Sequence, residues 1–383
     1  MIGNWNYPTS IRFGTGRISE LGSACREMGI AKPLIVTDPD LVSLPPVAKA
    51  VKALEKCGLD QATFSGVKAN PNEQNVAAGV EAYRSHGCDG VICLGGGSSI
   101  DAGKAVALMV GQHRPLFDFV DEGDNYKRVN ADAVAPIIAV PTTAGTGSEV
   151  GRASIITDSQ SLLKLIIFHP TMLPSRVIAD PELTVGMPKG LTAATGMDAL
   201  AHNLEAYCSP VFHPMAAGIA LEGMRLIAES LEAAYRDGSD IEARSKMLAA
   251  SLMGATAFQK GLGAIHSLSH PLGGRYDLHH GMLNAVLMPY VLEYNRKALG
   301  HKWEALSQAL GDDPLRWVLK IRRSLGIPNS LSELGVPDEA VNLAGAATAD
   351  PSAATNPVPL DDAAHRALLE DALAGSLRAN QLA

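Results

Sequence analysis

Over roughly its first 185 residues the chain alternates short unbroken apolar runs with stretches of helical spacing. Residues 32–38 (KPLIVTD) read as a buried strand ending in polar residues, and 47–57 follows with apolar positions at Val47, Val51 and Leu54. Residues 88–94 (CDGVICL) form a second strand, broken by Gly95, Gly96, Gly97, Ser98 and Ser99, and a helix-like stretch runs from 100 to 110. A third strand, 136–140, runs into PTTAGTGSE (141–149). Buried strands alternating with helices predict a parallel α/β sheet. Beyond Asp180 and Pro181 the pattern changes: 215–231 and 243–258 carry apolar residues every three or four positions, as helices packed on one another do. The expected division is an α/β domain over 1–185 and an all-α domain over 186–383.

Composition narrows the class. The 383 residues suit two domains and are 46% hydrophobic, which excludes disorder and coiled coils. The net charge of −8 makes nucleic acid and anionic membranes poor partners. Five scattered cysteines with no CxxC pair argue against a disulfide framework or a thiolate zinc site. The N-terminal stretch lacks a signal-peptide pattern and no apolar run reaches membrane-spanning length, so the expectation is a soluble, cytoplasmic protein.

Two kinds of position carry chemistry. The glycines of 95–97, between a strand and a helix, allow backbone N–H groups to approach a pyrophosphate, although a tight turn is an equal reading because the GxGxxG fingerprint is not met. A second polar loop with Thr142, Thr143 and Thr146 also follows a strand, and open α/β sheets bind ligands at such ends. Asp38 is placed to accept from a ribose hydroxyl, favouring NAD over NADP, or else to form a turn before Pro39. In the helical half, Asp198 and His202 lie four apart, as do His266 and His270, with His279 and His280 close behind. One face of a helix then presents a carboxylate and an imidazole, the hard and borderline ligands that suit Fe²⁺ or Zn²⁺.

With these motifs in order, the sequence resembles the iron-containing (group III) alcohol dehydrogenases, which include lactaldehyde reductases and 1,3-propanediol dehydrogenases. The match rests on GGGSSIDAGK (95–104), PTTAGTGSEV (141–150), TAATGMDALAH (192–202), GLGAIHSLSHPLGG (261–274) and HHGMLNAVLMP (279–289). It implies a Rossmann-like N-terminal dinucleotide-binding domain, an all-α C-terminal metal-binding domain and a site between them. It places metal ligands at Asp198, His202, His266 and His280, and His270 beside the metal near the nicotinamide and substrate, where it reads as a proton relay or, almost equally, as support for a ligand. Cofactor contacts fall on Asp38, Asn70, Gly95, Gly96, Gly97, Ser98, Ser99, Asp101, Thr142, Thr143, Thr146 and Lys164. The implied activity moves a hydride between NAD and a small primary alcohol, diol or ω-hydroxy acid, or the matching aldehyde. Iron is the implied metal, with zinc as an alternative, and the implied assembly is a homodimer or larger homo-oligomer.

Some positions depart from the lactaldehyde-reductase pattern. His279 replaces a proline, Val358 an arginine, and Lys260, Arg275 and Arg152 stand where uncharged residues are expected. The basic residues read either as surface or paired groups, or as a lining for an anionic alcohol. The rival readings are a lyase of dehydroquinate-synthase type on a related scaffold and a non-catalytic binding protein.

Overall fold

The structure, a computed structural model, describes residues 7, 9–161 and 163–377. The chain divides into two units. One takes in Tyr7–Thr143 and Gly147–Gly186, and the other runs from Met187 onward and includes Ala144–Thr146.

In the first unit a parallel six-stranded sheet is built from β1 (Ser10–Phe13), β2 (Pro33–Val36), β3 (Ala62–Phe64), β4 (Gly90–Gly95), β5 (Ile137–Pro141) and β8 (Arg176–Ala179). A separate antiparallel hairpin joins β6 (Ala153–Thr157) to β7 (Lys164–Phe168). Every residue of β2, β4 and β5 is buried, the signature of a sheet covered on both faces. On one face, Leu21 and Ala24 of α1 (Leu21–Glu27) and Val47, Ala50 and Leu54 of α2 (Pro45–Lys56) join a core with Ile35, Ile92 and Ile138. The remaining helices of this unit are α3 (Glu73–Ser85) and α4 (Gly97–Met109). Helix α4 lies close on β4: a Cβ on Gly103 would come within 2.4 Å of Cys93 Sγ, so only glycine fits.

The strand order is β1-β8-β5-β4-β2-β3. From β2 the chain adds β3 on one side and then reverses to place β4 on the other. The crevice beyond the ends of β2 and β4 is therefore the topological switch point, where open α/β sheets take their ligands. Apolar spacing singled out β2, β4 and β5. It missed β3, β6, β7 and β8 and the edge strand β1, which are short or carry charged and half-exposed positions that break the pattern.

The second unit is helical: α5 (Lys189–Cys208), α6 (Pro214–Arg236), α7 (Ile241–Ala257), α8 (Ala264–Tyr276), α9 (His280–Leu299), α10 (His301–Leu310), α11 (Pro314–Ser324), α12 (Ala344–Ala349) and α13 (Asp362–Ala374). Helix α5 is buried from Thr192 to Cys208, so its polar residues are held inside protein and must find partners there. Glycines let its neighbours close in: a Cβ on Gly196 would lie 2.2 Å from Leu231 of α6, and one on Gly281 2.4 Å from the Ala194 carbonyl. Helix α8 continues through Pro271, so His266 and His270 do share a face. Among the described residues no helix is long and apolar enough to cross a membrane.

Candidate active site

The glycine-rich turn lies at the switch point. Gly95 has φ +148°, and a Cβ there would come within 2.6 Å of Ser99 Cβ and Oγ, so a side chain is excluded on both counts. Gly96 begins α4 with no side-chain cap, which leaves first-turn N–H groups and the positive end of the helix dipole for an anion. Asp38 follows β2 and forms the turn that one of its two readings expects. Its Oδ1 accepts from the Asp40 and Leu41 N–H groups, forming the turn, while Oδ2 takes the Ser99 hydroxyl at 3.2 Å.

Other residues expected at the cofactor are drawn to the same region. Ser98 Oγ donates to the Ala69 carbonyl, next to Asn70, and the Thr157 N–H donates to the Pro71 carbonyl at 2.8 Å. Thr157 in turn faces Lys164 across the β6–β7 hairpin. Thr142 N–H donates to the Gly95 carbonyl at 2.9 Å, and Thr143 Cγ2 would lie 3.2 Å from a Cβ on Gly96. Asp101 has a different setting: its oxygens accept from Ser148 Oγ and the Ile155 N–H, with Lys104 Nζ 3.3 Å away. It ties α4 to the loop after β5. Thr146 groups with the helical unit.

In the helical unit, α5, α8 and α9 bring four ligand candidates together. Potential ligand atoms of Asp198, His202 and His266 all lie within 4.8 Å of one another, and all three residues are buried. His280 Nε2 is 3.7 Å from Asp198 Oδ1, and its ring centroid is 5.3 Å from that of His266. Neighbouring His279 is exposed. Each imidazole has its Nδ1 engaged away from the cluster: His202 with the Gly145 carbonyl (3.3 Å), His266 with Glu205 (2.6 Å) and His280 with Ser269 Oγ (3.4 Å). A ring that donates through Nδ1 leaves the Nε2 lone pair for a metal. His270 stacks on His280 at 5.3 Å, and its Nδ1 lies 2.8 Å from Asp350 Oδ2.

Burial pushes His202 down to about 4, against the opposing pull of Asp198. His266 moves the other way: burial alone would lower it, but the charge and hydrogen bond of Glu205 outweigh that and raise it. Asn284 Nδ2 lies among the ligand atoms, 2.7 Å from Asp198 Oδ1, 3.1 Å from His280 Nε2 and 3.3 Å from His266 Nε2. Its own Oδ1 is buried without a hydrogen-bond partner. One carboxylate and three imidazoles with inward lone pairs fit a divalent cation, with the mixed N/O donors that iron or zinc accept.

Glu205, Asn284, Asp350 and Gly145 were not read from the sequence. Two had a signal: Glu205 is three residues beyond His202 on α5, and Asn284 is four beyond His280 on α9, each spacing returning to the ligand face. Asp350 and the Gly145 carbonyl had none, because only the fold brings them close.

Of the basic residues, Arg275 keeps its surface reading, and Lys260 departs from both alternatives. Lys260 is neither a surface group nor a lining for an anion. It is buried, and its Nζ donates to the carbonyls of Ala206, Tyr207 and Ser209 at the C-terminus of α5. Burial lowers its ammonium to about 8, with Lys302 pulling the same way. Arg152 stacks over the Phe168 ring at 5.5 Å, and Arg275 is exposed at the end of α8.

The description "iron-containing alcohol dehydrogenase" matches residues 8–181, and its C-terminal counterpart matches 192–373. The chain belongs to the iron-containing alcohol dehydrogenase family. As a member it is an oxidoreductase, and the dehydroquinate-synthase-type reading is not favoured. It is 42% identical to a 4-hydroxybutyrate dehydrogenase of Cupriavidus necator, over 96% of this chain and 99% of that protein. It is 36% identical to an NAD-dependent methanol dehydrogenase of Bacillus methanolicus, over 89% and 91% respectively. The crystal structure of a 1,3-propanediol oxidoreductase superposes with a TM-score of 0.92 at 34% identity, covering 97% of this chain and all of that one.

Proposed function

We propose that this alcohol dehydrogenase interconverts a small primary alcohol and its aldehyde with NAD, and that an ω-hydroxy acid of the 4-hydroxybutyrate kind is the first substrate to test. The observation that carries the reading is the convergence of Asp198, His202 and His266, with His280 beside them, from three helices. The 42% identity to a 4-hydroxybutyrate dehydrogenase supports the substrate. When bound, the divalent ion supplies a Lewis acid for the substrate oxygen and the nicotinamide accepts or donates the hydride.

The chain's own residues do the rest. Asp198, His202, His266 and His280 hold the ion. The N–H groups of residues 96–99 receive the pyrophosphate, with Asn70, Thr142, Thr143, Thr146 and Lys164 as further cofactor contacts. Asp38 accepts from the ribose, and the extra ribose phosphate of NADP beside that carboxylate would be repelled, which favours NAD over NADP. His270 takes the hydroxyl proton at Nε2 as the alcohol is oxidised and returns it in the reverse direction, while its Nδ1 stays with Asp350. A homo-oligomer acting in the cytoplasm fits this reading, with light scattering as the check on assembly.

The test is an NAD-coupled panel of C3–C6 alcohols, diols and hydroxy acids on protein loaded with Fe²⁺ or Zn²⁺. Turnover led by an ω-hydroxy acid supports the proposal, and turnover confined to neutral diols overturns the substrate. Asp198→Ala should lose metal and activity together. Metal retained by that variant at full stoichiometry overturns the site.

A further inference from the structure

We propose that Glu205 is a positioning residue of the metal centre: it fixes the tautomer and aim of His266, so that α5 supplies two ligands and also orients a third. This rests on the metal site proposed above.

Glu205 lies on α5, three residues beyond His202 and seven beyond Asp198, and is 5% exposed. Each carboxylate oxygen has one task. Oε2 is 2.6 Å from His266 Nδ1, and Oε1 accepts the Ile265 N–H at 2.7 Å. A carboxylate accepts hydrogen bonds and has none to give, so the His266 proton sits on Nδ1 and the Nε2 lone pair faces Asp198 and His202. The bond to Ile265 locks the carboxylate itself, because it caps the first turn of the helix that carries His266.

The local backbone is shaped around this contact. Gly263, the residue before α8, offers no side-chain cap. A Cβ there would lie 2.9 Å from Glu205 Oε1 and 2.8 Å from Asn356 Oδ1. Asn356 Oδ1 takes the Ala264 N–H at 3.1 Å and is held in turn by Asn295. The first two N–H groups of α8 are therefore capped from outside the helix, by Asn356 and by Glu205, and only the Glu205 cap also touches a ligand. That difference separates a positioning role from a structural one.

Glu205→Gln keeps the shape and an oxygen for Ile265, but turns an amide NH₂ toward His266 Nδ1. Nδ1 must then accept, the ring proton moves to Nε2, and the ligand lone pair is lost. Metal-free wild type, Glu205→Gln and Asn356→Ala are titrated with Co²⁺ and Zn²⁺ against a chromophoric chelator, with thermal melting and the Co²⁺ absorption spectrum recorded alongside. The expected result is affinity about 10- to 100-fold weaker and an altered Co²⁺ spectrum in Glu205→Gln. Asn356→Ala should melt earlier yet keep wild-type affinity and spectrum. Wild-type affinity in Glu205→Gln, or an equal loss in Asn356→Ala, overturns the proposal. Should Glu205→Gln not fold, Glu205→Asp, which draws the carboxylate back by one methylene, takes its place with the same two outcomes. Failure of the wild type to bind either ion would sink the metal reading itself, an outcome distinct from the failure of Glu205's role.

Discussion

His270 Nδ1 lies 2.8 Å from Asp350 Oδ2, although eighty residues of chain separate them. Burial would raise the Asp350 carboxyl, but the hydrogen bond and charge of His270 and the Ser352 N–H outweigh it and hold the group below the usual carboxylate range. The pair orients the imidazole on the proposed proton path. Asp350→Asn should lower kcat about 10- to 100-fold while KM and metal content stay near wild type. Steady-state kinetics with metal analysis decide this, and an unchanged kcat removes the pair from the proton path.

Lys260 satisfies three carbonyls where α5 ends, and Lys302 Nζ donates to the Cys208 and Ser209 carbonyls beside them. Lys260→Met keeps the length but leaves those carbonyls short of donors. A loss of about 1–3 kcal/mol in denaturant unfolding is expected. KM for an ω-hydroxy acid relative to a neutral alcohol of the same length should not change. A selective rise for the acid would return Lys260 to the substrate.

Gly95→Ala should both destabilise the first unit and weaken NAD binding. The backbone is in the region that disfavours a side chain, and the new Cβ would strike Ser99. A cost of about 1–3 kcal/mol is expected, together with a higher KM for NAD and an unchanged metal affinity. Calorimetry and metal titration on one preparation separate these effects. Unaltered NAD binding would place the dinucleotide elsewhere.

Glu149 is buried, with Oε1 lacking a hydrogen-bond partner, and burial raises its carboxyl from 4.5 to about 7 even with Lys104 nearby. Between those values the folded chain holds a proton that the unfolded chain has released. The stability this contributes is full below about 4.5 and is lost as pH rises through about 7. Denaturant melts of wild type and Glu149→Gln over that range should diverge, with the wild type falling relative to the variant as pH increases. Parallel curves would show that Glu149 does not titrate there.

What the sequence determined by itself were features written in local order. Fully apolar β2, β4 and β5, the glycines between β4 and α4, and the four-residue spacings of Asp198/His202 and His266/His270 are set by backbone periodicity, so neighbouring residues suffice to read them. The tertiary structure decided what each polar group is for. Asp38 became at once a turn residue and a partner of Ser99, Lys260 turned inward to close α5, and Glu205, Asn284 and Asp350 joined the histidines. The physical reason is that a buried polar side chain takes its role from whichever donor or acceptor the packing supplies, and those partners lie on other elements tens of residues away.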